Sequence, residues 1–226
     1  MAKRSYNQYC GLSRSLDLVG ERWTLLIVRE LMSGPKRYSD LATALAGIGT
    51  NLLAARVQQL EREGLIVREQ LPPPAASQVY ELSAAGRELA QALVPLAMWG
   101  LRHRFDEPRQ ATEHYRAEWT LVFVAALIDP AAVAGVRSVV QFRLEDSAAA
   151  LIIDNGRVRV AAGEMDSPDL LVITDLPTLA EFAWRAPRPD ELATRLRIEG
   201  DTATAQLLIE LLCDRAQPPA SAGEFR

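Results

Sequence analysis

The stretch at residues 36–65 constrains the fold more than any other part of this chain. Ser39 is a favoured helix N-cap, and Leu41 and Leu45 follow it at helical spacing. Gly47 is expected to end this short helix, because glycine adopts the left-handed conformation of a helix C-terminus at no steric cost. The pattern therefore predicts a short helix that stops at a glycine-containing turn.

A second helix is predicted directly after that turn. Thr50 can cap it, and Gly64 can close it. Its apolar side carries Leu53, Val57 and Leu60, which recur every three or four residues. Two helices joined by a short turn are typical of a helix-turn-helix, in which the second helix lies in the major groove of DNA. An ordinary helical hairpin with a solvated polar face is the alternative.

The polar side of this second helix carries residue types that can read DNA. Asn51 and Gln58 can each pair with adenine through two hydrogen bonds, and small side chains let the backbone approach base edges. Gln59 is also expected to point outward, whereas Arg56 lies nearer the buried side. Arg37 and its neighbour at the entrance of the motif are expected to contact phosphates. The predicted DNA-contacting residues are Lys36, Arg37, Ser39, Thr50, Asn51, Ala54, Ala55 and Gln58.

Charge divides the chain into two unlike halves. Its 226 residues are enough for one large domain or two ordinary ones. Residues 1–105 contain 13 Lys and Arg against 9 Asp and Glu, a net charge of +4. Residues 106–226 contain 12 against 20, a net charge of −8. A mildly basic half followed by an acidic half suits a DNA-binding module that carries a domain held off DNA.

The remaining composition bounds the compartment and the chemistry. No run approaches about 18 uninterrupted apolar residues, and the N-terminus lacks an apolar signal region, so a cytoplasmic protein is expected without a membrane partner. His103 and His114 are the only histidines. Metal-ligand spacing, a phosphate-binding glycine loop and a nucleophile elbow are all missing from the sequence. We therefore expect no enzyme, no metal and no cofactor.

The elements around residues 36–65 complete a winged helix followed by a long helix. Two apolar helices precede the motif, and strands at 65–70 and 78–82 follow it. Ser83 caps a helix that runs to about Phe105 and is interrupted by Pro95. Its apolar stripe contains Leu89, Leu93 and Leu96, which so small a domain cannot cover. A second copy of the same helix is the simplest cover, so a homodimer on a near-palindromic operator is expected.

The second half is predicted to be α+β, a sheet with helices packed on it. Residues 106–114 have no pattern and are interpreted as a linker, the domain is placed at 115–215, and the tail at 216–226 is expected to be disordered. Asp154, Asn155 and Gly156 indicate a type I′ hairpin. The predicted elements are helices at 116–127, 176–185 and 201–213, strands at 139–144, 149–153, 158–161, 170–174 and 196–200, and a weak helical turn opened by Leu192. One face of the first helix is predicted to carry Trp119, Val122, Phe123, Ala126 and Leu127.

The N-terminal half resembles the HxlR family of bacterial winged-helix transcription regulators. The resemblance covers roughly residues 7–101 and rests on Cys10, SLDLVG at 15–20, RWTLLIVREL at 22–31, GPKRYSDL at 34–41, Gly47 and Ile48, LLAARV at 52–57, Leu60 and Glu61, GLI at 64–66, VYEL at 79–82, Gly86, and WG at 99–100. It implies a DNA-binding regulator. Three departures are visible: Gly11 replaces the usual proline, Gly49 replaces the usual serine before the second helix, and the wing tip has no Lys or Arg.

The C-terminal half is similar to the sterol-carrier-protein-like domains that some members carry. The matching residues are FRL at 142–144, IDNGRV at 153–158, DLLVIT at 169–174 and LRIEGD at 196–201, within roughly 119–213. The resemblance implies a sheet-and-helix shell around an apolar cavity for lipid-like ligands. The candidate ligand-binding residues are Trp119, Phe123, Leu127, Phe142, Phe182 and Trp184. Plain core packing is the alternative for these side chains.

The sequence therefore predicts a homodimeric, DNA-binding transcription regulator, expected to act as a repressor, whose C-terminal domain senses an apolar small molecule. One alternative is a regulator whose second domain is purely structural or binds a protein. Another is a thiol redox switch through Cys10, the position at which some relatives carry a sensor thiol. Only Lys3, Arg4 and Arg14 lie near it in sequence to lower its pKa. Cys213 is expected in the core.

Overall fold

The computed structural model describes residues 5–72, 76–104, 109–110 and 112–213. The chain divides into two compact units, with the boundary between Leu93 and Val94, inside a helix. The predicted limits of the domains therefore stay predictions. Part of the predicted linker, residues 106–108 and 111, lies outside the described residues, as does the tail at 216–226.

The first unit is built from helices and a two-stranded wing. The elements in chain order are α1 (Gly11–Val19), α2 (Thr24–Met32), α3 (Tyr38–Ala44), α4 (Thr50–Arg62), β1 (Ile66–Gln70), β2 (Gln78–Leu82) and α5 (Ala84–Arg104). The strands β1 and β2 are antiparallel, with Ile66 opposite Leu82. This order confirms the predicted winged helix-turn-helix. The helix α5 continues into the second unit.

The core of this unit comes from the apolar positions that the helical spacing predicts. Leu41 of α3 and Leu53 and Leu60 of α4 are almost fully buried, as are Ile27 of α2 and Ile66 of β1. Burying one such side chain stabilises the folded state by about 1.5–3 kcal/mol. Burial on one side of α4 therefore leaves its other side to solvent.

The predicted helix starts were wrong by one or two residues. Arg37, not Ser39, is the N-cap of α3, because the Asp40 carboxylate accepts the Arg37 backbone N–H at 2.9 Å. Gly49, not Thr50, is the N-cap of α4 and has extended backbone angles (φ −68°, ψ 144°). Glycine is nearly as good an N-cap as a hydroxyl residue, so Thr50 becomes the first helical residue.

The end of α3 also differs from the prediction. The helix stops at Ala44 with Leu45 as its C-cap, so Gly47 lies within the turn and does not close the helix. Gly47 does adopt a left-handed conformation (φ +97°). The amide N–H groups of Leu45 and Ile48 bond back to Leu41 and Leu45 and complete a tight turn into α4.

The second unit is a five-stranded mixed sheet with helices. Its elements after α5 are α6 (Ala117–Ala126), a 3-10 turn (Pro130–Val133), β3 (Arg137–Arg143), β4 (Ala148–Asp154), β5 (Arg157–Ala162), β6 (Leu170–Ile173), α7 (Leu176–Trp184), α8 (Pro189–Arg195), β7 (Arg197–Gly200) and α9 (Thr202–Cys213). The strand order is β5-β4-β3-β6-β7. Only β3 and β6 pair in parallel within this sheet. The predicted α+β class is confirmed.

Local signals account for most boundaries of this unit. Asn155 and Gly156 both have positive φ, 48° and 84°, as a type I′ hairpin between β4 and β5 requires. The Asp201 carboxylate accepts the Thr204 backbone N–H at 2.7 Å and caps α9, as predicted. This backbone hydrogen bond is the main cause that lowers the pKa of Asp201, and the hydrogen bond from the Thr204 hydroxyl is the next largest.

Two helices depart from the predicted pattern. The prediction that Leu192 opens a helical turn was wrong, because α8 begins at Pro189 and proline is well suited to the first helical position. The Glu191 carboxylate accepts the Arg188 backbone N–H and so caps the start of α8. A hydrogen bond from the Arg185 side chain is the largest of the causes that lower the pKa of Glu191 to about 2. The deepest side chains of α6 include Leu121 and Val124, which lie outside the predicted face.

A buried amide joins the sheet to the loop after β5. Gln141 lies in the central strand β3 and is almost fully buried. Its amide nitrogen donates to the carbonyls of Phe142, Ala149 and Gly163, and its amide oxygen accepts the Met165 backbone N–H at 2.8 Å. Each polar group of this side chain therefore has a partner, as burial demands.

Candidate functional site

The exposed side of α4 carries the predicted base-facing residues. Thr50, Asn51, Ala55 and Gln58 are exposed, and Ala54 is half-buried. Because the opposite side is buried in the unit, the exposed groups stand on a firmly held helix. The amide groups of Asn51 and Gln58 can offer paired donors and acceptors to an adenine edge.

Tyr38 fixes the start of this helix. The Tyr38 hydroxyl donates a hydrogen bond to the Thr50 carbonyl at 2.8 Å. The first residue of α3 is thereby joined to the first residue of α4 across the turn. A tyrosine at a helix start is the only sign of this contact in the sequence, because the pairing depends on how the two helices cross.

The basic entrance of the motif lies beside the wing. Lys36 is half-buried, and its backbone pairs with that of Tyr80 in β2. Arg37 is exposed, and its Nε donates to the Ser77 hydroxyl at 3.0 Å. Ser39 is exposed beside Asp40. The wing residues 73–75, where the sequence lacks a basic tip, lie outside the described residues.

Two polar residues of α4 face inward. Gln59 was predicted to point outward, but it is half-buried and donates to the Leu18 carbonyl at 3.2 Å. Arg56, which was predicted to lie nearer the buried side, forms an ion pair with Nη2 2.8 Å from the Glu21 carboxylate. The outward prediction for Gln59 was wrong because the last turn of α1 offers it a carbonyl acceptor, which helical periodicity does not reveal.

Cys10 lies at the start of α1 and is exposed. The backbone N–H group of Ser13 donates a hydrogen bond that favours the Cys10 thiolate, and the N–H group of Leu12 does so to a smaller extent. Both hydrogen bonds lower the pKa of Cys10. A search of the sequence for nearby cations missed this cause. The signal was present nonetheless, because Cys10 directly precedes a predicted helix, and a helix N-terminus stabilises a thiolate. Cys213 is half-buried on α9.

Large apolar side chains are exposed on two helices. On and before α1, Tyr9 and Leu12 are 93% and 68% exposed. On α5, Leu96 and Trp99 are 53% and 58% exposed, whereas Leu93 is buried. The prediction that Leu93 belongs to an uncovered stripe of α5 was therefore wrong, because Leu93 is buried within the chain, whereas Leu96 and the nearby Trp99 are exposed.

The candidate ligand-binding residues separate into two groups. Phe142 and Phe182 are 2% exposed and belong to the core of the second unit. Trp119 and Phe123 of α6 and Leu127, the C-cap that follows it, are half-buried at four-residue spacing, and Trp184 is half-buried at the end of α7. Only the half-buried group can present surface to a ligand without rearranging the core.

Two further properties concern metals and membranes. Among the described residues, no group of three or more His, Cys, Asp or Glu side chains is placed to hold a metal ion. None of the helices in the described part of the chain is both long and apolar enough to cross a membrane.

These elements define the class: a winged helix-turn-helix protein with an appended α+β domain. Residues 18–107 match the HxlR-like helix-turn-helix family, and residues 124–213 match the SCP-2 sterol transfer family. The chain belongs to the HxlR-like helix-turn-helix family.

Several relatives are similar to part of this chain. An uncharacterised HTH-type transcriptional regulator of Mycobacterium tuberculosis is 43% identical over 89 residues, which cover 39% of this chain and 56% of that protein. The regulator YtcD of Bacillus subtilis is 34% identical over 106 residues, 46% of this chain and 80% of YtcD. The structure of reduced YodB from B. subtilis has 27% identity and a TM-score of 0.39, covering 45% of this chain and 100% of YodB.

Proposed function

We propose that this protein is a sequence-specific DNA-binding transcription regulator, not an enzyme, and that α4 is its recognition helix. The observation that carries the proposal is the exposed row of Thr50, Asn51, Ala55 and Gln58 on a helix whose other side is buried. Membership of a family whose relatives are named transcriptional regulators supports it. Arg37 and Lys36 contact phosphates and set the register of the helix on the duplex.

The exposed apolar groups of α1 and α5 support a homodimer. Two groups of side chains are costly to leave in water and suit a self-complementary interface: Tyr9, Leu12 and Leu16 at α1, and Leu96 and Trp99 of α5. A two-fold dimer requires a near-palindromic operator with half-sites about one helical turn, or a multiple of it, apart. A protein bound over a promoter blocks transcription without contacting RNA polymerase, so we propose that this regulator is a repressor. We also propose that it acts in the cytoplasm.

Base readout is tested on an operator selected from a random duplex library. Asn51→Ala and Gln58→Ala should each cost about 1–3 kcal/mol on that operator and relax the sequence preference. Gln206→Ala, in an exposed glutamine of α9, is the matched control and should change nothing. If both α4 variants bind the operator as tightly as the wild-type protein, α4 is not the recognition helix.

For the second unit, we propose sensing of an apolar small molecule. Its match to the SCP-2 sterol transfer family supports this, as does the half-buried row of Trp119, Phe123 and Leu127 along α6 and its C-cap. Apolar burial would supply the affinity. The ligand can change operator affinity only if it binds more tightly to one of two protein states, the state that binds DNA or the state that does not. The difference in its binding free energy between the two states is typically about 1–3 kcal/mol.

Ligand sensing is tested with a panel of fatty acids and sterols on the full-length protein. At least one compound should raise the melting temperature and shift operator affinity, and Phe123→Asp should abolish both effects. Glu199→Asp, on the exposed strand β7, is the control. If no compound changes melting or operator affinity, the second unit is structural or binds a protein.

A second candidate function is a thiol switch through Cys10. Cys10 is exposed and its pKa is lowered, and both properties favour reaction of its thiolate with oxidants and electrophiles. Diamide should then release the wild-type protein from its operator and leave the Cys10→Ser protein bound. Equal release of both proteins would exclude this switch.

A further inference from the structure

The recognition helix is tied to the connection between α1 and α2 by a closed set of polar contacts. Arg56 donates from Nη2 to the Glu21 carboxylate (2.8 Å), from Nε to the Arg22 carbonyl (3.4 Å) and from Nη1 to the Gln59 amide oxygen (3.1 Å). Gln59 donates in turn to the Leu18 carbonyl at 3.2 Å. Two side chains on one face of α4 thus contact the last turn of α1, at Leu18, and the connection that follows it, at Glu21 and Arg22.

That connection is itself rigid. A Cβ on Gly20 would lie 2.5 Å from the Leu16 carbonyl oxygen, so only glycine fits this turn. Trp23 has φ +78°, a left-handed conformation that a bulky residue keeps only when its surroundings enforce it. The Trp23 ring also lies 3.9 Å from the position that a Cβ on Gly47 would take. The connection therefore contacts both the turn before α4 and the middle of the helix.

The contacts hold one particular rotation of α4. Arg56 and Gln59 are three residues apart and share a side of the helix, next to the exposed row that contains Gln58. The Arg56 side chain is only 17% exposed, whereas its partner Glu21 is 50% exposed, so the ion pair lies at the edge of the packed surface. A planar guanidinium that uses all three nitrogens fixes its partners more narrowly than a single point charge.

We propose that Arg56 and Gln59 are positioning residues for DNA recognition: they set the rotation of α4 so that Asn51 and Gln58 meet the base edges. This proposal rests on the proposed role of α4. It assigns to Glu21, an acidic residue, a positive contribution to DNA binding. Because Gln59 bonds to the Leu18 carbonyl, the preference of the protein for particular DNA sequences would also depend on where the last turn of α1 lies.

The rival role for Arg56 is a direct phosphate contact, and the two roles predict opposite results. If Arg56 contacts a phosphate, it adds about one unit to the slope of log affinity against log salt concentration. Lysine at position 56 would then keep most of the affinity, and the nearby Glu21 carboxylate would weaken DNA binding. A positioning contact leaves that slope unchanged, requires the guanidinium, and depends on Glu21.

The test uses the full-length protein, with fluorescence anisotropy on the selected operator and on a scrambled duplex across a range of salt. Glu21→Ala should weaken operator binding about tenfold, the loss expected for one displaced base contact, and leave scrambled-duplex binding and the salt slope unchanged. Arg56→Lys and Gln59→Ala should do the same. Glu88→Ala removes an exposed carboxylate from α5 and should not weaken operator binding.

A double-mutant cycle completes the test. Glu21→Ala combined with Arg56→Ala should cost no more than Arg56→Ala alone, because the two residues act through one contact. If Arg56→Ala does not fold, Glu21→Ala still decides, since Glu21 is half exposed and its loss leaves the core intact.

Outcomes against this inference differ from outcomes against the proposed function. Unchanged or tighter operator binding by Glu21→Ala, or a reduced salt slope with full sequence preference in Arg56→Ala, would overturn the positioning role alone. A wild-type protein that does not prefer its selected operator over the scrambled duplex would overturn the role of α4 as a recognition helix.

Discussion

The Nε atom of Arg37 donates a hydrogen bond to the Ser77 hydroxyl at 3.0 Å, although the two residues are 40 positions apart. Arg37 caps α3, and Ser77 immediately precedes β2 of the wing. The bond therefore holds a cation at the place where the helix-turn-helix meets the wing. A guanidinium held in one place loses less conformational entropy when it binds a phosphate.

Arg37→Ala should weaken binding to every duplex and reduce the salt slope by about one unit, because one phosphate contact is lost. Arg87→Ala, in an exposed arginine of α5, is the matched control for loss of charge. Ser77→Ala should weaken binding less and leave the slope unchanged. Anisotropy titrations at several salt concentrations measure both, and an unchanged slope in Arg37→Ala would exclude the phosphate contact.

Leu12→Glu should shift the protein from dimer to monomer, because it places a charge in the proposed interface of α1. The expected increase in the dimer dissociation constant is at least about tenfold, since buried unpaired charge is costly. Sedimentation at micromolar concentration is the measurement. Leu26→Glu, in a partly exposed leucine of α2, is the control, and a monomeric wild-type protein would contradict the dimer.

The alkylation rate of Cys10 should follow a titration with a midpoint below the ordinary thiol value of about 8.5. The sign follows from the backbone N–H bonds, which favour the charged thiolate and so lower the pKa of Cys10. Iodoacetamide labelling of a Cys213→Ser protein across pH isolates this thiol. A midpoint at or above the ordinary value would show that the start of α1 does not stabilise the thiolate.

Gln141→Leu should destabilise the second unit by about 1–3 kcal/mol, because it leaves the Met165 N–H and several carbonyls without the amide that satisfies them. Urea unfolding monitored by circular dichroism measures the change. Gln206→Leu, on the exposed side of α9, should stay within about 0.5 kcal/mol of wild type. Equal stabilities for the two variants would mean that water replaces the lost partners.

The sequence alone determined the elements whose signals are local. The spacing of Leu53, Val57 and Leu60 placed α4, and Asn155 with Gly156 placed the hairpin between β4 and β5, because a helix face and a turn depend on residues a few positions apart. The cap of α9 at Asp201 and the winged order of the first unit follow for the same reason.

The tertiary structure alone decided which polar groups find distant partners. Arg56, Gln59 and Arg37 sit at positions that helical periodicity assigns to the surface or its edge, yet each bonds a group 34 or more residues away. Ser39 and Thr50 lost their predicted capping roles because Asp40 and Gly49 fitted the backbone better. A hydrogen bond requires both partners within about 3 Å, and only the packing of one element on another brings distant residues that close.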